Sequence, residues 1–105
     1  MQYVYIMKCQ EYYKIGITGN PRKRLVDLQI GNPFKISLVG SYGLGNDVSS
    51  IETLLHGVVA KKRFSGEWFT LSVSEVELLD SLLREVEIGM RKVLSEPTTT
   101  HHITE

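Results

Sequence analysis

The sequence predicts a small α/β (α+β) domain, in which a mostly antiparallel three-stranded sheet is flanked by helices. Two runs of aromatic and β-branched residues, separated by the polar connection Cys9–Glu11, predict a β-hairpin over residues 3–17. Asn20 and Pro21 then mark a helix start, because asparagine caps free amides and proline suits the first helical position. Near the C-terminus, apolar residues at 3-4 spacing predict a further amphipathic helix.

The remaining elements follow from the spacing of apolar residues and from turn residues. In chain order we predict a helix from Pro21 to about Ile30, a strand over 34–42, a helix from about Val48 to Lys62, an extended segment over 67–71, and a last helix that follows a capping box of Ser74 and Glu77 and runs to about Ser95.

The composition fits one domain in a reducing compartment. We expect a core over 1–72, a C-terminal helix over 73–96 packed on the same domain, and a disordered tail over 97–105, which has almost no apolar residues. The single cysteine, Cys9, excludes an internal disulfide. No apolar run reaches the roughly 20 residues of a membrane-spanning helix, and no signal-peptide pattern is present. We therefore expect a cytoplasmic protein.

Charge is distributed unevenly along the chain, although the formal net charge is zero. Residues 1–70 carry nine Lys or Arg and five Asp or Glu, whereas residues 71–105 carry three and seven. A basic region attracts phosphate backbones, so the first part of the chain favours DNA as a partner. Cations dispersed over a solvated surface would give the same count, and that alternative stays open here.

Short motifs along the first two thirds of the chain occur in a fixed order. Tyr3–Tyr5 and Lys14–Gly16 lie on the two hairpin strands, and Arg24 follows on the first helix. Glu52–His56 and Gly66–Phe69 come later. In order and spacing, these motifs resemble the core of the GIY-YIG nuclease superfamily and especially its small phage-type branch. The resemblance covers residues 3 to about 71, and it implies a GIY-YIG-like fold and divalent-metal-dependent hydrolysis of DNA phosphodiester bonds.

The resemblance also implies roles for single residues. Glu52 corresponds to the carboxylate that holds a divalent cation, Mg²⁺ or Mn²⁺, and a hard cation prefers such oxygen ligands. Arg24 corresponds to the arginine that clamps the scissile phosphate, which guanidinium matches bidentately. Tyr5 corresponds to a tyrosine that orients or deprotonates the attacking water. A neighbouring cation would favour its phenolate form, and Lys14 across the hairpin offers one.

The remaining site residues are assigned from their positions. His56 lies one turn after Glu52 and would carry a proton or bind phosphate, although a lone histidine at a core edge is often only hydrogen-bonded. Glu67 would support the site without contacting the metal. On the predicted second helix, Glu52, His56 and Arg63 lie along one line. Diffuse contacts with DNA phosphates are expected from a set of basic residues: Arg22, Lys23, Lys61, Lys62 and Arg63.

Three departures from the family pattern keep other functions open. Tyr3 stands where the first tripeptide has glycine, Lys14 where the second has tyrosine, and Glu67 in the region where an asparagine is expected. A DNA-binding module with a degenerate site is therefore one alternative. A second is an interaction protein that dimerises through residues 76–93, although docking of this helix on the sheet is favoured because its apolar stripe is wide. Monomer and homodimer both stay open.

Overall fold

The computed structural model describes residues 1–95, which form five strands and three α-helices. In chain order these are β1 (Tyr3–Cys9), β2 (Tyr12–Thr18), α1 (Pro21–Gln29), β3 (Ile36–Gly43), α2 (Val48–Val58), β4 (Arg63–Ser65), β5 (Trp68–Thr70) and α3 (Val73–Ser95). The predicted α+β fold class is confirmed. The predicted tail over 97–105 lies outside the described residues.

The sheet is antiparallel throughout, with the strand order β3-β1-β2-β5-β4. It has two strands more than predicted. Strand β5 lies within the predicted extended segment over 67–71, although its pairing with the sheet was not predicted. Strand β4 has only three residues, which is too short for an alternating pattern to be recognised in the sequence. Gly66 joins them in a left-handed conformation with φ of +56°, which glycine adopts without strain.

Helix α1 begins as predicted and α2 ends earlier than predicted. The Lys23 amide donates to Asn20 Oδ1 at 3.1 Å, so Asn20 is the N-cap of α1. Helix α2 ends at Val58, where the backbone tightens into a short 3-10 turn over Ala60–Lys62. Arg63 consequently lies on β4, and the predicted alignment of Arg63 with Glu52 and His56 on one helix is wrong.

Helix α3 is started by a capping box two residues before the predicted one. The Glu75 amide donates to Ser72 Oγ at 3.2 Å, and the Ser72 amide donates to Glu75 Oε1 at 2.8 Å. Val76, Leu79 and Leu83 are buried in the main core, so the first half of α3 packs on the sheet as favoured above. Among the helices of the described residues, none is both long and apolar enough to cross a membrane.

Two apolar clusters lie on opposite faces of the sheet. On the larger one, residues of β1, β2 and β3 pack with α2 and α3, including Ile6, Ile15 and Leu55. On the other face, Tyr5 and Met7 pack with residues of α1 and with Trp68. Because strand side chains alternate between faces, neighbouring motif residues point to opposite sides of the sheet. The functional groups of both faces meet where β5 ends beside β2.

A candidate metal and phosphate site at the edge of β2

The short pairing of β5 leaves part of the β2 edge without a strand partner. Strand β5 pairs with residues 12–14 of β2 and goes no further. Beyond this point, the Ile15 amide donates to the Glu67 carbonyl oxygen at 3.4 Å, and His56 Nε2 lies 2.9 Å from the Ile15 carbonyl oxygen. The backbone of Ile15 therefore fixes Glu67 and His56 side by side.

A group of three side chains capable of binding a metal lies at this edge. One ligand atom each from Glu52, His56 and Glu67 lies within 4.8 Å of the others. Glu52 Oε2 is 4.0 Å from His56 Nε2, and both side chains are 19% exposed. Two carboxylates and an imidazole suit a divalent cation, with the oxygens favouring Mg²⁺ or Mn²⁺. The residues present thus fit a divalent metal ion, but they do not identify it.

The hydrogen bond of His56 determines which nitrogen carries its proton. A carbonyl oxygen can only accept, so Nε2 donates to Ile15, and a neutral ring then has its lone pair on Nδ1. Histidines that bind metals characteristically donate their other N–H to a carbonyl or carboxylate in this way. The ring also packs against Phe69, with centroids 5.2 Å apart. His56 is therefore held in one orientation with one basic nitrogen.

Burial changes the acidity of Glu52. The pKa of this carboxyl is raised mainly by desolvation, with a further contribution from the negative charge of Glu67, while His56 and Lys14 oppose the shift. The charged form of Glu52 is thus incompletely compensated by the protein itself. A bound cation would supply the missing compensation and lower this pKa.

Lys14 forms an ion pair with Glu67. Its Nζ lies 3.1 Å from Glu67 Oε1 and 5.6 Å from the centre of the Trp68 ring. In the sheet register Lys14 lies opposite Met7, whereas Gly16 lies opposite Tyr5. The Tyr5 hydroxyl receives its hydrogen bond from Arg24, and a role of Lys14 as the cation for Tyr5 stays a prediction.

Arg24 is the cation beside Tyr5. Its Nε donates to the Tyr5 hydroxyl at 3.5 Å, and this contact is the main reason why the pKa of Arg24 is raised. The Tyr5 ring lies directly over Gly16, where an added Cβ would be 2.5 Å from the hydroxyl oxygen. Glycine is therefore required at position 16 so that the buried Tyr5 ring can reach Arg24.

The basic residues assigned to DNA contacts lie on the surface in two groups. Arg22 and Lys23 begin α1, and Lys23 pairs with Asp27 at 3.1 Å. Lys61, Lys62 and Arg63 lie just before β5 in the chain and are exposed. Of these, Lys62 Nζ is 3.5 Å from Glu75 Oε2, and Arg63 donates to the Gly66 carbonyl and lies over the Phe69 ring.

The structure brings most of the predicted site residues together and gives Glu67 a more direct place among them than predicted. Glu67 was expected in a supporting position, yet it provides a ligand atom of the metal-capable group. The proximity of Glu67 to Glu52 and His56 depends on the Gly66 turn and on the start of β5 at Trp68, and neither feature has a clear sequence pattern.

Comparison with known protein families gives a match over most of the chain. The model of a family described as the T5orf172 domain matches residues 2–87, which include every site residue named above. Neither the curated proteins nor the solved structures contain a match to this chain.

Proposed function

We propose, from the premise that the chain belongs to the T5orf172 domain family, that the protein is a divalent-metal-dependent DNA endonuclease of the GIY-YIG type. This family is of phage type and is associated with nucleases, so membership in it indicates a nuclease-like or DNA-binding role. One observation supports the proposal of a metal-dependent endonuclease: Glu67 of the metal-capable group is close enough to the Tyr5–Arg24 pair for its charge to act on Arg24.

In this proposal Glu52 and Glu67 would hold the cation, Mg²⁺ or Mn²⁺, and His56 lies beside them in the same group. When bound, the ion would stabilise the negative charge that develops on the phosphate. Lys14 keeps the Glu67 carboxylate in place and limits the repulsion between the two carboxylates. The raised pKa of Glu52 supports this assignment, because such a carboxyl gains most from a nearby cation.

Arg24 binds the scissile phosphate. Its Nε is engaged with Tyr5, and its two terminal nitrogens can donate to two phosphate oxygens in parallel. The guanidinium stays charged throughout, so it stabilises the additional negative charge of the transition state. Tyr5 orients the attacking water, because its hydroxyl oxygen accepts from Arg24 and has a second lone pair that can accept a hydrogen bond from that water.

DNA is held outside the reacting centre by the exposed basic residues. Arg22 and Lys23 lie on α1 beside Arg24, while Lys61, Lys62 and Arg63 lie on the β5 side of the site. Cations in the first turn of a helix oppose the helix dipole, so their presence in α1 supports an anionic partner. Each phosphate contact should contribute about one unit to the slope of log K against log salt.

The experiment that tests this function compares Glu52→Gln with the wild type. The substitution keeps the size and helix propensity of the side chain and removes the charge that holds the cation. With Mg²⁺ or Mn²⁺, we expect wild-type protein to nick or linearise plasmid DNA and the variant to be at least about a hundredfold slower. DNA binding, measured in chelator, should persist in the variant and tighten slightly, because a carboxylate near phosphates repels them.

Glu77→Gln is the matched control, since Glu77 is an exposed helical glutamate outside the metal-capable group. It should cleave like the wild type. Undiminished cleavage by Glu52→Gln would contradict the site assignment. A wild type that binds DNA but never cleaves it, with either metal, would instead favour the alternative of a degenerate DNA-binding module.

A homodimer through α3 also stays a proposal. Leu78 and Leu82 are exposed among the residues of α3 that pack on the sheet, and Val93 is exposed near the end of the helix. Sedimentation of the wild type and of Leu82→Glu would distinguish a dimer held by this stripe from a monomer.

A further inference from the structure

A pair of aromatic rings lies beside the candidate site and has no part in the function proposed above. The ring of Tyr12 stacks on the ring of Phe64, with centroids 4.3 Å apart and planes inclined by 25°. Tyr12 belongs to β2, two residues before Lys14, and Phe64 is the middle residue of β4. Two residues of a strand span roughly 7 Å, so the pair lies close to the Lys14–Glu67 ion pair.

The pair is on the same face of the sheet as the phosphate-binding groups. Tyr12, Lys14 and Gly16 alternate along β2, so all three point to the face on which the Tyr5 ring covers Gly16. Trp68 lies opposite Lys14 in the register and packs on the apolar cluster of this face. Helix α1 packs on this face mainly at β1 and β3, towards the other edge of the sheet.

One face of the Phe64 ring is available to a ligand. Phe64 is 61% exposed although Tyr12 covers one side of its ring. A phenyl ring has no polar atom that could form a hydrogen bond with water, so its exposure brings no gain in solvation. Tyr12 restricts the orientations of Phe64, so a third planar ring could extend the stack at a small entropic cost.

The chemistry around the pair favours a nucleotide as that third ring. Lys14 and Arg24 lie on this face of the sheet, and the exposed Lys61 comes three residues before Phe64, so a polyanion is attracted to this part of the surface. An aromatic platform beside cations is the usual arrangement for single-stranded nucleic acid, since every base has a π-face and every nucleotide a phosphate.

We propose that the Tyr12–Phe64 pair stacks on an unpaired base, and that the protein therefore acts on DNA with an unpaired or displaced nucleotide beside the cleaved phosphate. This inference rests on the proposed function for its DNA substrate and extends it to a substrate class. Bases inside a duplex have both faces covered by their neighbours, so Phe64 can reach a base face only where the pairing is interrupted.

The test uses DNA hairpins that carry the fluorescent base 2-aminopurine, either in a one-nucleotide bulge or in a fully paired stem. All measurements are made in chelator, so that no cleavage occurs. We expect wild-type protein to quench the bulged base and to bind the bulged hairpin about tenfold more tightly than the paired one, within the range of one base–aromatic stack. Phe64→Leu should lose both effects, because it keeps an apolar side chain without a ring.

Two variants serve as controls. Phe64→Tyr keeps the ring and should keep the quenching, which shows that a loss in Phe64→Leu comes from the missing stack. Phe34→Leu removes another exposed phenylalanine, between α1 and β3, and should behave like the wild type. Thermal unfolding of each variant establishes that it is folded in the assay.

Several outcomes would overturn the inference. One is equal affinity of the wild type for the bulged and paired hairpins, and another is a bulged base that stays unquenched. A third is unchanged affinity and quenching in Phe64→Leu. In each case the Tyr12–Phe64 pair would only stabilise the β4–β5 hairpin. Because binding is measured without metal, a failure to cleave plasmid would refute the endonuclease proposal and leave this inference standing. Cleavage of plasmid together with equal binding of the two hairpins would support the endonuclease proposal and refute this inference.

Discussion

Two polar clusters of this protein contain the same types of residue but differ in how well their carboxylates are compensated. In each cluster, a buried tyrosine ring covers a glycine of the sheet and lies close to an arginine. At the candidate site the tyrosine is Tyr5, beside Arg24. At the other edge, on β3, Tyr42 covers Gly40, donates to Asp80 Oδ1 at 2.5 Å and lies under Arg84.

The carboxylates of the two clusters differ in how far neighbouring donors and cations compensate their negative charge. Asp80 accepts from Tyr42 and, at 3.0 and 3.1 Å, from Arg84 Nε, and the hydrogen bond from Tyr42 is the main cause of its lowered pKa. Glu52 has His56 at 4.0 Å, and burial raises its pKa. The cluster at Asp80 is complete and attaches α3 to the sheet. The cluster at Glu52 is incomplete, which is the state expected where a ligand from outside must bind.

The largest expected effects concern the glycines under the two tyrosines. In Gly40→Ala and Gly16→Ala, the new methyl group collides with the ring of Tyr42 or Tyr5, and both rings are buried. Each substitution should lower the free energy of unfolding by about 1–3 kcal/mol, as overpacking of a core does. Urea denaturation measures this loss.

Cleavage separates the two glycine variants. Gly16→Ala displaces Tyr5 from Arg24 and should reduce cleavage by the fully folded protein, whereas Gly40→Ala should leave it unchanged. Gly57→Ala is the control, because its Cβ would meet no other atom within 4 Å, and a helical alanine should stabilise by about 0.5–1 kcal/mol. If Gly16→Ala cleaved DNA like the wild type, the Tyr5–Arg24 contact would have no role in the reaction.

A smaller effect distinguishes the two carboxylates by pH. The pKa of Asp80 is lowered by folding, so its contribution to stability is present above the unfolded pKa and is lost as the pH falls. The pKa of Glu52 is raised by folding, so its ionisation costs stability as the pH rises through the folded value.

At pH 7 without metal, Asp80→Asn should therefore lower the free energy of unfolding by about 1 kcal/mol, comparable to one hydrogen bond. Glu52→Gln should leave it unchanged or raise it. The difference for Glu52→Gln should disappear near pH 3, where this carboxyl is protonated in both the folded and the unfolded protein. The difference for Asp80→Asn should shrink as the pH falls but persist longer, because its lowered pKa keeps folded Asp80 charged to lower pH. Urea denaturation at the two pH values provides the measurement, and a clear destabilisation by Glu52→Gln at pH 7 would mean that this carboxylate is satisfied within the protein.

Much of the fold could be predicted because local signals and packing agree. The hairpin, the Asn20 cap and the apolar side of α3 each follow from residues close in sequence. The start of α3 was misplaced because two S-x-x-E boxes overlap, at Ser72–Glu75 and Ser74–Glu77. The earlier one forms, and it begins the helix at Val73.

The candidate site was less predictable because its contacts are distant in sequence. Glu52 and His56 are one helical turn apart, so their proximity follows from periodicity. The proximity of Glu67 to both, and its ion pair with Lys14 across 53 residues, depend on where β5 stops pairing with β2. No local pattern gives the end of a three-residue strand.

The most direct test of the incomplete cluster is the thermal stability of the protein as Mn²⁺ or Mg²⁺ is added at pH 7. A cation bound by the folded state raises stability by about 1.4 kcal/mol at ten times its Kd, which for a domain of this size raises Tm by several degrees. We expect this rise in the wild type and in Asp80→Asn, and its absence in Glu52→Gln. An unchanged Tm in the wild type, or an equal rise in Glu52→Gln, would contradict the account that Glu52 lies in a site built for a metal ion.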